Sequence, residues 1–393
     1  MDNRTHILYL IDHLWSVGGA EAALLRTARF LPSDRYRCTI GTFRLKPELS
    51  ILKDSPWPVV EFPFDAVPNI QALRTVLNLR RFIRSQKVDI VHTFCESANL
   101  WGGLIARLSG CRVLISSRRD MGILRTGKHR VAYRVLNPFV DQVQAVSTAV
   151  RHWAIREESL DPNKVVTVPN GIDLESVDDA REIPHLRSTL GLSEDSRLIL
   201  TVGNLRRVKG IDVLIRAAQI VCGAHPQTVF LIAGSVADRG YYDELKHLAH
   251  ELNVASNLRF LGECDNVRSL LHSSDIFCLL SRSEGMSNAL LEAMACKLPC
   301  VVTGVGGNLD VIEDGRSGFL VPSEAPEATA DRIIALLNSP EQARRVGRAA
   351  RHAVQARFSA AAVVSELANI YDRLLQTSTS PVPNGAIPSS HPL

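Results

Sequence analysis

Short runs of apolar residues alternate with longer amphipathic stretches along nearly the whole chain. In the first half the apolar runs lie at residues 7–11, 38–43, 88–92, 113–116 and 143–146. Stretches with helical spacing separate them, such as 70–85 and 97–108. Strands that are apolar without alternation and are separated by helices are typical of a parallel sheet covered on both faces. The first half therefore predicts an α/β doubly wound domain.

The second half of the chain repeats this pattern. Its apolar runs lie at residues 198–202, 228–233, 258–261, 276–280 and 300–303. Its helix-like stretches lie at residues 211–221, 241–252, 289–295 and 327–337. A chain of 393 residues is long enough for two domains, each with a full core. Two similar units in tandem predict two parallel-sheet domains that face each other across a cleft.

An acidic segment at residues 174–186 separates the two units. It is poor in large apolar residues and contains Pro184 near its end, which is typical of a domain boundary. We therefore expect a first domain at 1–175 and a second at 185–357. The C-terminal segment 377–393 is rich in Ser and Pro, so we expect it to be a disordered tail.

Composition narrows the class of protein. Hydrophobic residues make up 46% of the chain and charged residues 22%, the balance of an ordinary globular protein. The net charge of +4 is too small to indicate a nucleic-acid partner. The eight cysteines show no C-x-x-C pair and no zinc spacing, so they predict neither a metal site nor a disulfide framework. The early apolar run at 7–11 is too short for a signal peptide, so we expect a cytoplasmic protein.

The candidate chemistry lies in turns at the carboxyl ends of predicted strands, where open parallel sheets bind ligands. Gly18 and Gly19 follow the first strand and open a helix, without a dinucleotide fingerprint or a P-loop motif. Arg206, Arg207 and Lys209 lie in the corresponding turn of the second unit. Three cations so close together repel one another unless a dense anion such as a diphosphate binds among them. The alternative is a solvated basic turn.

The segment 281–295 contains two glutamates, Glu284 before a predicted helix and Glu292 eight residues later. That spacing is about two helical turns, so both carboxylates can border one groove. Residues between them present backbone amides at the start of the helix. Sugar hydroxyls are suitable partners for such carboxylates. The alternative is that Glu284 caps the helix and Glu292 faces solvent.

The order of these motifs resembles that of the retaining nucleotide-sugar glycosyltransferases of family 4. The resemblance rests on four segments and their order: Gly18-Gly19-Ala20-Glu21, Val168-Pro169-Asn170-Gly171-Ile172-Asp173, the basic loop from Arg206 to Gly210, and Glu284-x7-Glu292 with its continuation at 299–307. It implies the GT-B fold, in which two Rossmann-like domains face each other across a cleft. It also implies that the last helix, at 359–376, packs back onto the first domain.

The resemblance further implies roles for individual residues. Arg206 and Lys209 would neutralise the diphosphate of the donor and the leaving phosphate, Glu292 would hold the ribose hydroxyls, and Glu284 would lie near the donor sugar. His92, in an Asp-x-x-His run, would touch the sugar or the acceptor. The remaining donor-binding residues that it implies are Gly18, Gly19, Arg207, Val267, Gly285, Met286, Ser287, Asn288 and Ala289.

Two positions depart from the family pattern. Asn204 stands where the family has an arginine in its basic loop, and either Arg206 or Arg207 can replace that arginine. Phe94 stands where the family has a second histidine after His92. If that second histidine serves the acceptor in the family, the acceptor side of this chain is specialised.

The function implied by the resemblance is retaining transfer of a sugar from a nucleotide-diphosphate sugar to a glycan, a polyprenyl-linked lipid or a small molecule. The leaving phosphate would accept the proton of the acceptor, and neither a metal nor a cofactor is expected. The expected setting is the synthesis of cell-surface polysaccharide or glycoconjugate. Two alternatives stay open: a nucleotide-sugar 2-epimerase or hydrolase on the same fold, and a non-catalytic nucleotide-sugar-binding protein.

A basic stretch in the first half suggests a further partner. Its cations are Arg118, Arg119, Arg125, Lys128, His129, Arg130 and Arg134. The apolar residues among them are Met121, Ile123, Leu124, Val131, Tyr133, Val135 and Leu136. Such a surface predicts peripheral contact with anionic lipid on the inner face of the membrane, or else a solvated basic loop and helix. Nucleic acid is not expected, because no series of stacking aromatics accompanies the cations.

Overall fold

The structure is a computed structural model that describes residues 2–15, 18–46, 55–64, 70–122 and 125–378. Two parallel sheets form its framework. The first consists of β1 (Thr5–Ile11), β2 (Tyr36–Thr42), β3 (Val59–Glu61), β4 (Ile90–Phe94), β5 (Val113–Arg118), β6 (Gln142–Ala145) and β7 (Val165–Thr167). Its strand order is β3-β2-β1-β4-β5-β6-β7.

Helices cover both faces of the first sheet. They are α1 (Gly19–Phe30), α2 (Ile70–Ser85), α3 (Gly103–Leu108), α4 (Gly127–Leu136) and α5 (Thr148–Glu158). The predicted helix at 97–108 is a π-helix, Ala98–Gly102, that continues into α3. The central strand β1 has six of its seven residues buried, because a strand between two helical layers has no solvent-facing side.

The second sheet has the order β10-β9-β8-β11-β12-β13. Its strands are β8 (Arg197–Val202), β9 (Thr228–Ala233), β10 (Leu258–Gly262), β11 (Ile276–Leu279), β12 (Cys300–Thr303) and β13 (Phe319–Val321). The helices from the domain boundary to the second domain's end are α6 (Leu174–Asp178), α7 (Leu186–Thr189), α8 (Ile211–Ala224), α9 (Arg239–Glu251), α10 (Val267–His272), α11 (Asn288–Ala295), α12 (Asn308–Val311), α13 (Pro326–Asn338) and α14 (Pro340–Arg357). The predicted α/β fold of two doubly wound parallel sheets is confirmed.

The strand order reverses once in each sheet, between β1 and β4 in the first and between β8 and β11 in the second. Loops diverge at the carboxyl ends of such strands and leave a crevice where ligands bind. All ten predicted strands are present. The three strands that the pattern missed, β3, β7 and β13, have three residues each and lie at sheet edges. An apolar run this short cannot be told from a loop by its pattern.

The boundary segment is more ordered than its composition predicts. It contains α6 and α7 instead of an open linker, because Val177 and Leu186 are buried in the core. Asp178 adds an ion pair of 2.7 Å to Arg351 of α14. The acidic residues of the segment therefore include one that anchors the boundary to the second domain.

The last helix, α15 (Ala360–Thr377), returns to the first domain. It packs against α1, and its residues Val363 and Leu367 share a hydrophobic cluster with Ile7 of β1. Tyr371 is fully buried there. The helix extends to Thr377, so the first residue of the segment predicted as a tail is helical, while residues 379–393 lie outside the described part. Among the described helices, none combines the length and the apolar character needed to cross a bilayer.

Candidate functional site

Three loops meet at the carboxyl ends of β8, β11 and β12. The basic loop, residues 203–210, leads from β8 into α8 and contains a 3-10 turn at Arg207–Lys209. The glutamate loop, residues 280–287, leads from β11 into α11. The glycine loop, residues 304–307, leads from β12 into α12. The sheet topology thus brings together the motifs of the second domain that the sequence singled out.

Lys209 and Glu284 form an ion pair between the basic and the glutamate loops. The ammonium nitrogen Nζ of Lys209 lies 2.6 Å from Oε1 of Glu284, and the hydroxyl of Ser281 donates to the same oxygen at 2.6 Å. Glu284 is only 8% exposed. Its second oxygen, Oε2, accepts no hydrogen bond within the described residues. One carboxylate oxygen is therefore held in place and the other is left for a further partner.

The glycine loop fixes the backbone of Glu284. The amide of Gly307 donates to the carbonyl of Glu284 at 3.1 Å. Gly306 has a φ of +52°, and a Cβ at this position would lie 1.8 Å from the same carbonyl oxygen. Only glycine satisfies both conditions. Gly306 is thus needed for the close approach that positions the glutamate.

The two arginines of the basic loop point to different surroundings. Arg207 forms a 2.5 Å ion pair with Glu244 of α9, and its guanidinium lies over the ring of Tyr241. The exposed guanidinium of Arg206 forms no ion pair or hydrogen bond in the described part of the chain. In this structure Arg207 thus points to α9 and only Lys209 and Arg206 are directed elsewhere, while the convergence of the three cations on one anion stays a prediction.

Arg282, which the sequence motifs do not single out, joins the glutamate loop to the basic loop. Its guanidinium bonds both carboxylate oxygens of Asp212, at 2.7 and 3.0 Å, and pairs with Glu324 at 2.6 Å. Its amide donates to the carbonyl of Val208 in the basic loop at 2.8 Å. Burial alone would raise the pKa of Asp212, but the hydrogen bonds from Arg282 and Tyr241 lower it. The signal in the sequence was a cation two residues before Glu284.

Glu292 lies on α11 and faces α10. Its Oε1 is 3.5 Å from Nη2 of Arg268, a second residue that the sequence analysis missed although it follows Val267 directly. Val267 is the first residue of α10 and is partly buried. Arg26 of α1 is close enough to Glu292 for an electrostatic interaction, although burial is the larger influence and lowers the pKa of Arg26. Glu292 is therefore a partly buried carboxylate at the interface of the two domains.

The beginning of α11 meets the glycine turn of the first domain. The side-chain amide of Asn288 donates to the carbonyl of Gly19 at 3.1 Å. Its carbonyl oxygen Oδ1 is buried and has no hydrogen-bond partner within the described residues. Gly18 precedes α1 and is exposed. The two helix N-termini, of α1 and α11, thus lie on opposite sides of the cleft.

The residues before α11 touch the first domain. Gly285 lies so close to Arg119 that a Cβ would be 1.9 Å from the carbonyl oxygen of that arginine. The backbone amide and the side-chain amide of Asn170 donate to Sδ and to the carbonyl of Met286, each at 3.2 Å. Ser287 caps α11 by accepting from the amide of Leu290 at 3.2 Å.

Several backbone amides at this helix start remain available. Those of Gly285, Met286 and Ser287 donate no hydrogen bond within the described residues. Ala289 lies in the first turn of α11 and is partly buried. Backbone amides without a hydrogen-bond partner, in a segment that leads into a helix N-terminus, are suited to an anion or a hydroxyl group.

Two arginines of the first domain hold the segment 168–173. Arg119 donates to Oδ1 of Asn170, and Arg26 donates to the carbonyl of Gly171. Burial lowers the pKa of Arg119 to about 10. Asn170 therefore links Arg119 to Met286 of the glutamate loop. In the sequence Asn170 is distinguished only as part of a motif, because nothing in a sequence shows a contact across 116 residues.

His92 does not lie in the cleft. It is fully buried, with Nδ1 2.7 Å from the hydroxyl of Tyr371 and Nε2 2.8 Å from the hydroxyl of Ser117. Burial lowers the pKa of His92 to about 3. The expectation that His92 touches sugar or acceptor is wrong, because both ring nitrogens are used inside the first domain and no face of the ring is accessible.

The predicted basic surface is also corrected in part. Arg118 is fully buried and paired with Glu158 at 2.8 Å, and its guanidinium lies 4.2 Å from the ring centre of Tyr133. Arg125 bridges Glu158 and Glu96 at 2.5 and 2.9 Å. Arg118 and Arg125 belong to the interior because a buried carboxylate and a tyrosine ring surround them.

The remaining residues of that stretch differ in their exposure and in their contacts. Arg119 takes part in the interdomain contact. The exposed cations are Lys128, Arg130 and Arg134, and His129 is half-buried where it caps α4. Ile123 and Leu124 lie outside the described residues.

Comparisons with known proteins agree with this architecture. Residues 17–176 match the family model described as Glycosyltransferase Family 4. Residues 182–353 match the family model described as Glycosyl transferases group 1. The two matches divide the chain near its domain boundary and confirm the resemblance drawn from the sequence.

Curated relatives include two bacterial enzymes. The N-acetyl-alpha-D-glucosaminyl L-malate synthase of Bacillus anthracis is 36% identical over 235 residues, which are 59% of this chain and 60% of that protein. The UDP-Gal:alpha-D-GlcNAc-diphosphoundecaprenol alpha-1,3-galactosyltransferase of Escherichia coli is 27% identical over 331 residues, 81% of this chain and 85% of that protein. The match thus spans somewhat more than half of the first relative and most of the second.

Among solved structures, HepE of Anabaena in complex with UDP-glucose superposes with a TM-score of 0.82. The superposition covers 94% of this chain and all of that chain, at 21% sequence identity. A likeness at this identity concerns the fold alone. It confirms the predicted two-domain GT-B architecture.

Proposed function

We propose that this chain, whose two domains belong to Glycosyltransferase Family 4 and to Glycosyl transferases group 1, transfers a sugar from a nucleotide-diphosphate sugar to an acceptor hydroxyl with retention of the anomeric configuration. The donor binds in the cleft, mainly on the second domain. The acceptor enters from the side of the first domain. The reaction contributes to the synthesis of a cell-surface polysaccharide or glycoconjugate.

The observation that carries this proposal is the Lys209–Glu284 pair with the unpaired guanidinium of Arg206 in the same loop. A diphosphate needs cationic partners, and bond cleavage concentrates negative charge on the leaving phosphate. Lys209 and Arg206 supply that positive charge. Oε2 of Glu284, which accepts no hydrogen bond within the described residues, is available for a sugar hydroxyl.

Other groups would position the rest of the donor. Glu292, partly buried beside Arg268, binds the ribose hydroxyls. The free amides of Gly285, Met286 and Ser287 face the donor sugar and phosphates. The turn at Gly18 and Gly19 approaches the phosphates from the first domain. Positioning of this kind lowers the barrier by fixing the geometry of the reacting groups.

In the reaction we propose, the bond between C1 of the sugar and the phosphate oxygen breaks, and a bond between C1 and the acceptor oxygen forms on the same face. The proton of the acceptor hydroxyl passes to the leaving phosphate. Glu284 is not the nucleophile in this scheme. Its Oε1 accepts from Lys209 and Ser281, and we assign its Oε2 to a sugar hydroxyl instead of to attack on C1. The protein contributes binding, orientation and charge stabilisation.

No metal or cofactor takes part in this scheme, since Lys209 and Arg206 provide the charge that a divalent ion provides elsewhere. Activity is therefore expected to persist in excess EDTA. The E. coli relative is named for an acceptor linked to diphosphoundecaprenol. We accordingly propose a polyprenyl-linked or glycan acceptor, reached by the protein from the cytoplasmic side of the membrane.

The test begins with thermal unfolding in the presence of UDP, GDP and ADP and of their common sugar conjugates. A bound nucleotide raises the Tm because it binds the native state alone. The best donor is then incubated with acceptors, and the anomeric configuration of the product is read by NMR. Donor consumption without an acceptor would favour an epimerase or hydrolase. Stabilisation without any turnover would favour a binding protein, and an inverted product would overturn the proposed mechanism.

A further inference from the structure

Large apolar side chains are exposed on one part of the first domain. Seven of the eleven exposed large hydrophobic residues of the described chain lie on α2, the π-helix, α3, α4 and the turn after α4. They are Leu73, Leu77, Trp101, Leu108, Val131, Val135 and Phe139. We call these residues the α2–α4 face. The second domain, by contrast, exposes only Ile220, Val236 and Leu309 within the described residues.

Hydrogen bonds between the elements show that those carrying the exposed residues lie side by side. Arg84 of α2 donates to the carbonyl of Ser109 at the end of α3, at 3.2 Å. Arg107 of α3 donates to the carbonyl of Phe139 at 2.9 Å. The helix α4 also packs against the π-helix. Helix α3 therefore lies between α2 and the turn after α4, and the elements that carry the exposed side chains are neighbours in the fold.

The exposed apolar residues are not needed for the core. In α2 the buried side is formed by Thr75, Leu79 and Ile83. Leu73 and Leu77 follow one another by one helical turn on the opposite side. Amphipathic helices of water-soluble domains carry polar residues at such outward positions. A second apolar stripe on the outside of α2 indicates a partner.

The charges around the face determine which partner fits. Neither α2 nor α4 contains an Asp or a Glu. The exposed cations of these helices include Arg74, Arg80, Arg81, Lys128 and Arg134, and none of these five forms an ion pair within the described residues. Apolar side chains bordered by unpaired cations complement a bilayer that carries anionic headgroups.

We infer that the α2–α4 face docks on the surface of an anionic phospholipid bilayer, with its apolar side chains at the boundary of headgroups and acyl chains. This surface differs from the basic stretch expected from the sequence, because Arg118, Arg119 and Arg125 are largely buried and do not take part. Val131 and Val135 belong to both surfaces, and Lys128 and Arg134 of the basic stretch border the α2–α4 face.

The location of the face is consistent with the proposed function. The inference rests on that function only for the nature of the acceptor. The helix α2, the π-helix and α4 each begin after the carboxyl end of a strand of the first sheet, β3, β4 and β5 respectively. The cleft opens at that same edge. A protein lying on the α2–α4 face would therefore hold its cleft beside the bilayer, where a polyprenyl-linked acceptor emerges.

The test is flotation of the full chain with vesicles of phosphatidylglycerol and phosphatidylcholine, and with vesicles of phosphatidylcholine alone. We expect recovery with the anionic vesicles at low salt and at least fivefold less with the neutral ones. The triple variant Leu77→Ser, Val131→Ser, Val135→Ser should lose at least fivefold of the bound fraction. The matched control is Ile220→Ser, Val236→Ser, Leu309→Ser, which removes exposed apolar residues from the second domain and should bind like the wild type.

Several results would overturn the inference. These are equal recovery with both kinds of vesicle, no recovery with either, and equal losses in the two triple variants. Light scattering after gel filtration tests whether a second copy of the chain covers the face instead. If the wild type is a dimer and only the α2–α4 variant is a monomer, the face is a dimer interface and the inference is wrong. Transfer to a water-soluble acceptor should be unchanged in the α2–α4 variant, so failure of the docking inference and failure of the proposed function give different results.

Discussion

Lys209 and Glu284, 75 positions apart in the sequence, form a 2.6 Å ion pair that joins the basic loop to the glutamate loop. The glutamate is nearly buried, whereas the lysine remains partly exposed toward the cleft. The pair therefore contributes to the stability of the folded protein and also positions Lys209 for the proposed donor. A diphosphate that binds at Lys209 shares a cation whose position is already fixed by Glu284.

We expect Lys209→Met to lower kcat/KM for transfer well over tenfold, since a hydrogen bond to a charged group contributes about 1.5–3 kcal/mol. The same change leaves the carboxylate of Glu284 without its cation. Stability to urea should therefore fall by about 1–3 kcal/mol. Adding Glu284→Gln should restore most of that stability, because the neutral amide tolerates burial, but it should not restore activity. Equal stability of the single and double variants would contradict the pairing.

The two arginines of the basic loop should differ in effect. Arg206→Ala should lower transfer at least tenfold, because its unpaired guanidinium is free to bind phosphate. Arg207→Ala should keep the rate of transfer within about threefold of the wild type, because Arg207 points to exposed Glu244. The change removes only a surface ion pair, and such pairs contribute little to stability. Steady-state kinetics of both variants, with UDP or GDP affinity measured separately, checks this. Near wild-type rates of transfer in both variants would contradict the proposal that this loop binds the phosphates of the donor.

The sequence was sufficient to predict the fold because fully buried parallel strands are continuous apolar runs and leave a clear pattern. It also located the basic and glutamate loops, since ligand sites in such sheets lie at strand ends. It could not show where each side chain points. His92 and Arg118 lie on strands, where successive residues face opposite sides, and both turned out to be buried. Contacts between the domains, such as Asn170 with Met286, leave no local signal.

Gly285→Ala tests the contact between the domains. Its new Cβ would meet the carbonyl of Arg119 at 1.9 Å, so the two domains must separate or the glutamate loop must shift. We expect at least a tenfold loss of transfer and an increased radius of gyration in X-ray scattering. Gly223→Ala is the matched control, because nothing lies within 4 Å of the Cβ added there. An active, equally compact Gly285→Ala variant would mean that this contact is not needed for catalysis.

The buried histidine predicts a specific dependence of stability on pH. Burial lowers the pKa of His92 from 6.5 to about 3 in the folded protein. As the pH falls below 6.5 the unfolded chain takes up a proton at this position before the folded chain does, so the free energy of unfolding decreases. The decrease approaches about 1.4 kcal/mol per pH unit and ends near pH 3.

Urea unfolding between pH 7 and pH 4 measures this contribution. His92→Gln should be less stable at pH 7, because it disturbs the bonds to Tyr371 and Ser117, but its stability should fall less steeply with acid. His352→Gln, on the exposed side of α14, should keep the slope of the wild type. Parallel slopes for the wild type and His92→Gln would show that His92 does not titrate in this way.

The returning helix α15 gives the last prediction. Truncation after Phe358 removes it and uncovers the apolar residues of β1 and α1 that pack against Val363, Leu367 and Tyr371. Because a buried apolar side chain contributes about 1.5–3 kcal/mol, we expect the first domain to lose its cooperative thermal transition. Truncation after Ser378 leaves α15 complete and should keep the Tm of the wild type.

A point variant separates the helix's packing from its hydrogen bond. Tyr371→Phe keeps the ring in the core but removes the hydroxyl that lies 2.7 Å from Nδ1 of His92 and 3.2 Å from the hydroxyl of Tyr9. Both partners are fully buried, so no water replaces the lost bond, and the free energy of unfolding should fall by about 1–3 kcal/mol. Removing both groups, in Tyr371→Phe with His92→Leu, should lower the free energy of unfolding by less than the sum of the single changes.

The truncation has its own contradicting outcome. A cooperative thermal transition like that of the wild type, in the chain truncated after Phe358, would show that the first domain does not need α15.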